Sequence, residues 1–347
     1  MRYTVPAGRD PAPYAKWHKE SAVWHQRFIL SGMLYPVIIC LIFLVYSGFL
    51  TFVGAVLYMS AAYGLSWLSM YKRFGHILDE FEGEPLMESA PEYQKAKQIL
   101  EVLCQKAGID WRPDLIVFEL DEVQGFSAKP HGGNATIVVS TGSFAYSENV
   151  LRAIMAHELA HLLHEDNERL FSSAVVKHNI ILSFLSMVIA LPLVAISSLY
   201  GWQDMALLTA LWGFSGLYMR ALSLMERAYM RRREYLADGG AVALIGWQNR
   251  IHMAVALHWS FVSYKRVLKK KLKEKRSYRK IDGSLRDEGW LEGLREKAIE
   301  SIDHMEEEFS VFNTHPTGPQ RWAAMDVSVE DMQTTLGDNF NRNIKSS

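Results

Sequence analysis

His157-Glu158-Leu159-Ala160-His161, read HELAH, is the stretch from which the rest of this chain takes its meaning. Two histidines four apart on a helix are separated by about 6 Å of rise, so both imidazoles leave the same face and can grip one metal ion. Glu158 follows the first histidine on nearly the same side, where it can reach a water on that metal without competing as a ligand. H-E-x-x-H therefore supplies two zinc ligands and a general base. The flanks favour a helix. Ser147-Glu148-Asn149 offers a capping residue and early acidic charge. Val150, Leu151, Ile154, Leu162 and Leu163 recur at helical spacing, and no Gly or Pro interrupts Ser147 to Asp166. The pattern predicts one rigid helix with the histidines in its middle. An ordinary amphipathic helix would also tolerate two histidines, but it gives no reason for a Glu where a base is needed.

A zinc hydrolase needs a third protein ligand and an open fourth position. His164 shares the histidine face but lies about 4.5 Å beyond His161 along the axis, outside the tetrahedron unless the helix breaks. The remote stretch Arg231-Arg232-Arg233-Glu234-Tyr235-Leu236-Ala237-Asp238 is the better source. Its Glu234 and Asp238 are four apart on one face. Glu234 would bind the metal, and Asp238 would accept the second N–H of a ligand histidine, fixing its tautomer.

HELAH, then Glu-Tyr-Leu-Ala-Asp at 234–238, then Thr314-His315-Pro316 with Arg321, in that order, resemble the M48 metalloproteases, and within them the HtpX-type membrane proteases of bacteria and archaea. The resemblance spans roughly Asp114 to Ala324. It departs from the family pattern at His164, where Asn is usual, although the acidic residue two further on is kept as Asp166. It departs also at Asn134-Ala135-Thr136-Ile137, where Asn-Ala-Phe-Ala is usual, and in the highly charged stretch 264–309. The resemblance implies a gluzincin-like zinc domain and one Zn²⁺ per chain. It implies that His315 and Arg321 approach the site, with His315 catalytic and Arg321 on the substrate. A small sheet is expected before the zinc helix, its edge strand holding an extended peptide by backbone pairing, with Asn134 and Ala135 in contact with substrate. The strands are read at Leu115–Leu120, Gly125–Lys129 and Ala135–Ser140, and a helix between Pro91 and Gly108.

The chain has 347 residues and a formal net charge of −1, so nothing in its charge points to nucleic acid. Its two cysteines, Cys40 and Cys104, lie in apolar or helical stretches, which excludes a disulfide framework and a cysteine-type zinc site. From Phe28 to Tyr71 no residue is charged. That run is about twice the ~20 residues a span needs, and it is too long for a signal peptide. It reads as a hairpin of two spans, breaking near Tyr46-Ser47-Gly48. Ile180–Tyr200 and Met205–Tyr218 read as a second hairpin. Lys and Arg cluster before Phe28, after Tyr71 and at Arg227–Arg233, whereas the two tight connections carry none. By the positive-inside rule the termini and the zinc site face the cytoplasm.

The expectation is a mainly α membrane protein with a small β-sheet and about four transmembrane helices in two hairpins. Its parts are a cytoplasmic segment 1–27, a hairpin 28–71, a first catalytic part 72–179, a second hairpin 180–225 and a second catalytic part 226–347. The metal is Zn²⁺ on His157, His161 and Glu234; Glu158 is the base. The activity is zinc-dependent endopeptidase on misfolded or membrane polypeptides, in the lipid bilayer of a bacterial or archaeal inner membrane. The alternatives are a non-proteolytic membrane scaffold keeping a protease-like fold, and a prenyl-protein protease of the same clan.

Overall fold

The uncharged stretches form long helices. The computed structural model describes residues 12–47, 49–75, 84–129, 133–196, 202–263 and 318–337. Helix α1 covers Ala12–Ser47 and α2 covers Phe49–Gly75. Within them Lys19–Ile42 and Val53–Arg73 are long and apolar enough to cross a membrane. At 1.5 Å per residue each exceeds about 30 Å, the thickness of a hydrocarbon core. Phe28, Tyr35 and Ile39 of α1 bury against Met59 of α2 and against two further long helices. Those are α5 (Asp166–Ile196) and α6 (Trp202–Ile245). Leu30, Leu57, Leu65 and Leu217 are instead more than half exposed, the arrangement expected where lipid rather than water is the solvent. Inside the bundle the Tyr35 hydroxyl donates to Ser215 Oγ at 2.9 Å, and the Tyr218 hydroxyl donates to the Ser31 carbonyl.

The two spans of α1 and α2 are the only candidates among the described residues, against the four expected. Residues 197–201 and the side chains of 183–205, 207 and 208 lie outside the described residues. No break marks positions 180 or 225, because α5 and α6 run straight through both. The 44 residues of α6 span about 66 Å, roughly twice a bilayer core. Glu234 and Asp238 lie in its C-terminal half.

The remaining elements build a second core. Helix α3, Pro91–Ala107, opens on proline and closes at Gly108, whose φ of 66° lets the chain turn back onto Cys104 and Gln105 carbonyls. Strands β1 (Asp114–Phe118), β2 (Gly125–Ala128) and β3 (Thr136–Ser140) form one sheet in the order β1-β3-β2. β3 pairs parallel with β1 and antiparallel with β2, and all five of its residues are buried. Helix α4, Glu148–Leu163, lies between this sheet and α6, and nearly every side chain on it is buried. The core joins Ile99 and Leu103 of α3, Val117, Ile137 and Val139 of the sheet, Leu151, Met155 and Leu159 of α4, and Val242 and Ile245 of α6.

The helix expected to run unbroken to Asp166 stops at Leu163. Ser147 takes the N-cap position without a side-chain cap bond. At the far end Glu165 adopts a left-handed φ of 56°, and α5 starts at Asp166. No glycine is needed for this break. Asp166 is the first residue of α5, and its carboxylate turns back to His161, which helps hold the reversal.

Candidate metal centre

Helical spacing on α4 places His157 and His161 on one buried face, with their Nε2 atoms 3.1 Å apart. Their Nδ1 atoms point away, each to a carboxylate. His161 Nδ1 meets Asp166 Oδ2 at 2.6 Å, and His157 Nδ1 meets Asp238 Oδ1 at 3.1 Å. Both Nε2 lone pairs therefore converge on one point. Glu234 reaches the same point from α6, with Oε2 3.6 Å from His157 Nε2 and Oε1 3.9 Å from His161 Nε2. All three ligand atoms lie within 4.8 Å of one another. Zinc bound tetrahedrally to nitrogen and oxygen needs ligand atoms about 3.4 Å apart. The donor set thus fits Zn²⁺ in type, number and spacing.

Charge makes the same case. Glu158, Glu234, Asp166 and Asp238 are four buried carboxylates, and they face two enclosed guanidiniums, Arg233 and Arg321. The excess of carboxylates in this cluster favours a cation at the site. Burial pushes the His157 imidazole down, but the Asp238 and Glu234 carboxylates beside it, 3.1 and 3.6 Å away, overcome that and hold it up at about 9. Without metal, a proton on His157 offsets part of that excess. Burial likewise opposes ionisation of Asp238, yet Arg321 and His157 together hold its carboxyl below the usual range.

The close approach of α4 and α6 is what brings these groups together. A Cβ on Gly240 would sit 2.9 Å from Ala160 Cβ and 3.2 Å from His164 Nε2. Bare Gly240 lets the two backbones cross tightly, with Glu234 and Asp238 opposite the histidines. His164, the alternative ligand, is directed at Gly240 and is not a member of the metal cluster.

Arg321, expected on the substrate, is committed to the protein. Its Nε donates to Asp238 Oδ2 at 2.7 Å and its Nη2 to Asp238 Oδ1 at 2.5 Å, with Nη2 also 3.4 Å from Glu234 Oε2. The short helix Gly318–Ala324 thus locks Asp238, whose Oδ1 lies 3.1 Å from His157 Nδ1. His315 lies outside the described residues.

Asn134 and Ala135, expected to touch substrate, lie beside β1. Asn134 Nδ2 donates to Asp114 Oδ2 at 3.2 Å, and the Ala135 carbonyl accepts from Asp114 N–H at 2.7 Å. They lead into β3, which is central and paired on both sides, so it has no edge to offer a peptide. The outer edge of β1 is partly covered by the segment 84–86, through Leu86 N–H to the Val117 carbonyl and Glu119 N–H to the Glu84 carbonyl. Among the described residues β2 pairs with β3 alone, and its side-chain face meets Glu158. The Ser127 hydroxyl donates to Glu158 Oε2 at 2.9 Å. A Cβ on Gly125 would meet Ile154 Cγ2 at 2.6 Å and Glu158 Oε1 at 3.3 Å.

Sequence reasoning gave no role to Asp166, Arg233, Gly125 or Ser127. Arg233 donates to Glu234 Oε1 at 3.1 Å and lies 3.8 Å from Asp166 Oδ2, so it ties the ligand carboxylate to the partner of His161. An acid just past a histidine-bearing helix was the available signal for Asp166. Nothing local marks the other three, which depend on which elements become neighbours.

Residues 91–328 match the sequence profile of peptidase family M48. Protease HtpX of Haemophilus influenzae (strain PittEE) is 25% identical over 215 residues, covering 57% of this chain and 72% of that protein. Protease HtpX of Wigglesworthia glossinidia brevipalpis is 26% identical over 164 residues, covering 44% and 54%. The Protease HtpX homolog of Bacillus subtilis (strain 168) is 27% identical over 154 residues, covering 43% and 50%. Among solved structures, S. mikatae Ste24p is 16% identical with a TM-score of 0.44, over 85% of this chain and 62% of the Ste24p chain.

Proposed function

This chain belongs to peptidase family M48, and on that premise we propose that it is a membrane-embedded zinc endopeptidase whose site faces the cytoplasm. One observation carries the reading: His157, His161 and Glu234 converge at ligand spacing, with Asp238 and Asp166 behind the histidines and Glu158 alongside. When bound, zinc would supply Lewis acidity, polarising the scissile carbonyl and making water a nucleophile near neutral pH. His157, His161 and Glu234 would hold it. Glu158 takes the proton of the attacking water and delivers it to the leaving amine. Asp238, clamped by Arg321, keeps the imidazole of His157 in one orientation and tautomer, and Asp166 does the same for His161.

The free edge of β2 is the surface along which an extended polypeptide would pair. His315 is proposed as a donor to the developing oxyanion, a task for which Arg321 is poorly free. The substrates are misfolded or membrane polypeptides and the role is membrane-protein quality control, as the resemblance to HtpX-type proteases implies. The cytoplasmic orientation rests on the distribution of Lys and Arg around the apolar segments, and the second hairpin is proposed to span.

The test is Glu158→Gln in purified full-length protein. Bound zinc and the fold should persist, because the residue is not a ligand. Hydrolysis of casein should fall by roughly 10²–10⁴, the usual contribution of a general base. Activity equal to wild type in that variant removes Glu158 from the mechanism and the reading with it.

A further inference from the structure

The face of β2 turned toward α4 is unusual in what it presents. Gly125 and Ser127 are two apart on an extended strand, so they share that face. Gly125 offers no side chain, and the space a Cβ would fill is taken by Ile154 and by the Glu158 side chain, whose Cγ and Oε1 both lie 3.3 Å from that position. Ser127 offers a hydroxyl, buried at 7% exposure, which donates to Glu158 Oε2 at 2.9 Å. One carboxylate oxygen is thus fixed by a hydrogen bond, and the rest of the side chain is accommodated in the groove left by the missing Cβ.

Without such a seat Glu158 has a competing attraction. Arg321 is close enough for its charge to act on the Glu158 carboxylate, and its guanidinium already serves Asp238 and Glu234. A Glu158 drawn toward Arg321 would be withdrawn from the position of the attacking water. We propose that Ser127 is a positioning residue for catalysis: its hydroxyl holds the Glu158 carboxylate in the orientation that receives the proton of water. The inference rests on the endopeptidase reading above and goes beyond it. It assigns a task to a strand residue and joins two parts of the site on one element. The four-residue strand whose free edge would pair with substrate is the strand that aims the base, so peptide and base are registered to the same backbone.

The experiment uses full-length protein in detergent, zinc-loaded, with a fluorogenic peptide as substrate. Ser127→Ala, Ser127→Thr, Glu158→Gln and the double variant Ser127→Ala/Glu158→Gln are compared for kcat, KM and bound zinc. A neutral hydroxyl bonded to a carboxylate is worth roughly a tenfold effect when lost. Ser127→Ala should therefore lower kcat about 10-fold with KM and bound zinc unchanged, and Ser127→Thr should restore most of it. In the Glu158→Gln background Ser127→Ala should cost little more, because the group it positions is gone. Wild-type kcat in Ser127→Ala, an equal loss in both backgrounds, or a loss traced to KM or to zinc would each overturn the assignment. If Glu158→Gln is inactive while Ser127→Ala is normal, only this inference falls; full activity in Glu158→Gln overturns the endopeptidase reading itself.

Discussion

Replacing Glu234 by alanine removes the proposed ligand that the sequence places farthest from the other two. In the folded protein its carboxylate stands 3.6 and 3.9 Å from the two histidine Nε2 atoms, and nothing else among the described residues completes that cluster. Four-ligand zinc sites bind with about 10–16 kcal/mol, or roughly 3–4 kcal/mol per ligand, so the variant should lose about 10²–10³ in zinc affinity. The substitution also takes a carboxylate from Arg233 at 3.1 Å and Arg321 at 3.4 Å. Each guanidinium keeps a second acid, Asp166 at 3.8 Å and Asp238 at 2.5 Å, so destabilisation should lie at or below the ~3–5 kcal/mol of a fully broken buried pair. Glu234→Gln, which keeps the shape, separates loss of a charged ligand from loss of packing. Zinc per protein is measured after dialysis against a chelator of graded strength, for wild type, Glu234→Ala, Glu234→Gln and His164→Ala side by side. His164→Ala should retain its metal, since that imidazole is directed at Gly240. Metal kept in Glu234→Ala and lost in His164→Ala refutes the ligand assignment.

Arg321→Ala should unseat Asp238 and leave it buried without its bidentate partner, costing about 3–5 kcal/mol of stability and roughly 10–100-fold in zinc affinity. Lysine should not restore it, lacking the planar fork, and full rescue by Arg321→Lys in a chelator competition would show that only charge matters. In metal-free protein the His157 pKa, raised to about 9, contributes stability that is complete below about pH 6.5 and is lost as pH rises through about 9. Thermal unfolding of the metal-free form should accordingly move to lower temperature across that window. Zinc binding near pH 7.5 should release about one proton, read with a pH indicator in weak buffer, and binding with no proton release would remove His157 as a protonated ligand. Cysteine labelling should reach sites near Ser47 and Gln203 from outside, and sites within 1–27, at Glu165 and at Lys271 from the cytoplasm. Labelling at Gln203 from the cytoplasmic face alone would turn the second hairpin into a roof over the site.

What the sequence determined by itself is the part governed by short periods. A spacing of four on a helix aligns His157 with His161 and Glu234 with Asp238 whatever the rest of the chain does, because 3.6 residues per turn is a property of the backbone. Proline at 91, glycine at 108 and the charge-free run 28–71 are equally local, and α3, α1 and α2 follow from them. The break at Glu165 was not legible, since it takes a left-handed residue with no glycine and a hydrogen bond from His161 to Asp166 across the turn. Strand order was not legible either. Three consecutive strands invite a meander, but β1 and β3 pair in parallel, which puts β3 in the centre and β2 at one side, where its face meets Glu158. The tertiary structure alone decided that α4 and α6 cross at Ala160 and Gly240, that Arg321 is used on Asp238 and that Ser127 meets Glu158. The cause is the same each time: contacts between residues distant in the chain are selected by packing and by the matching of buried charges, and neither leaves a period in the sequence.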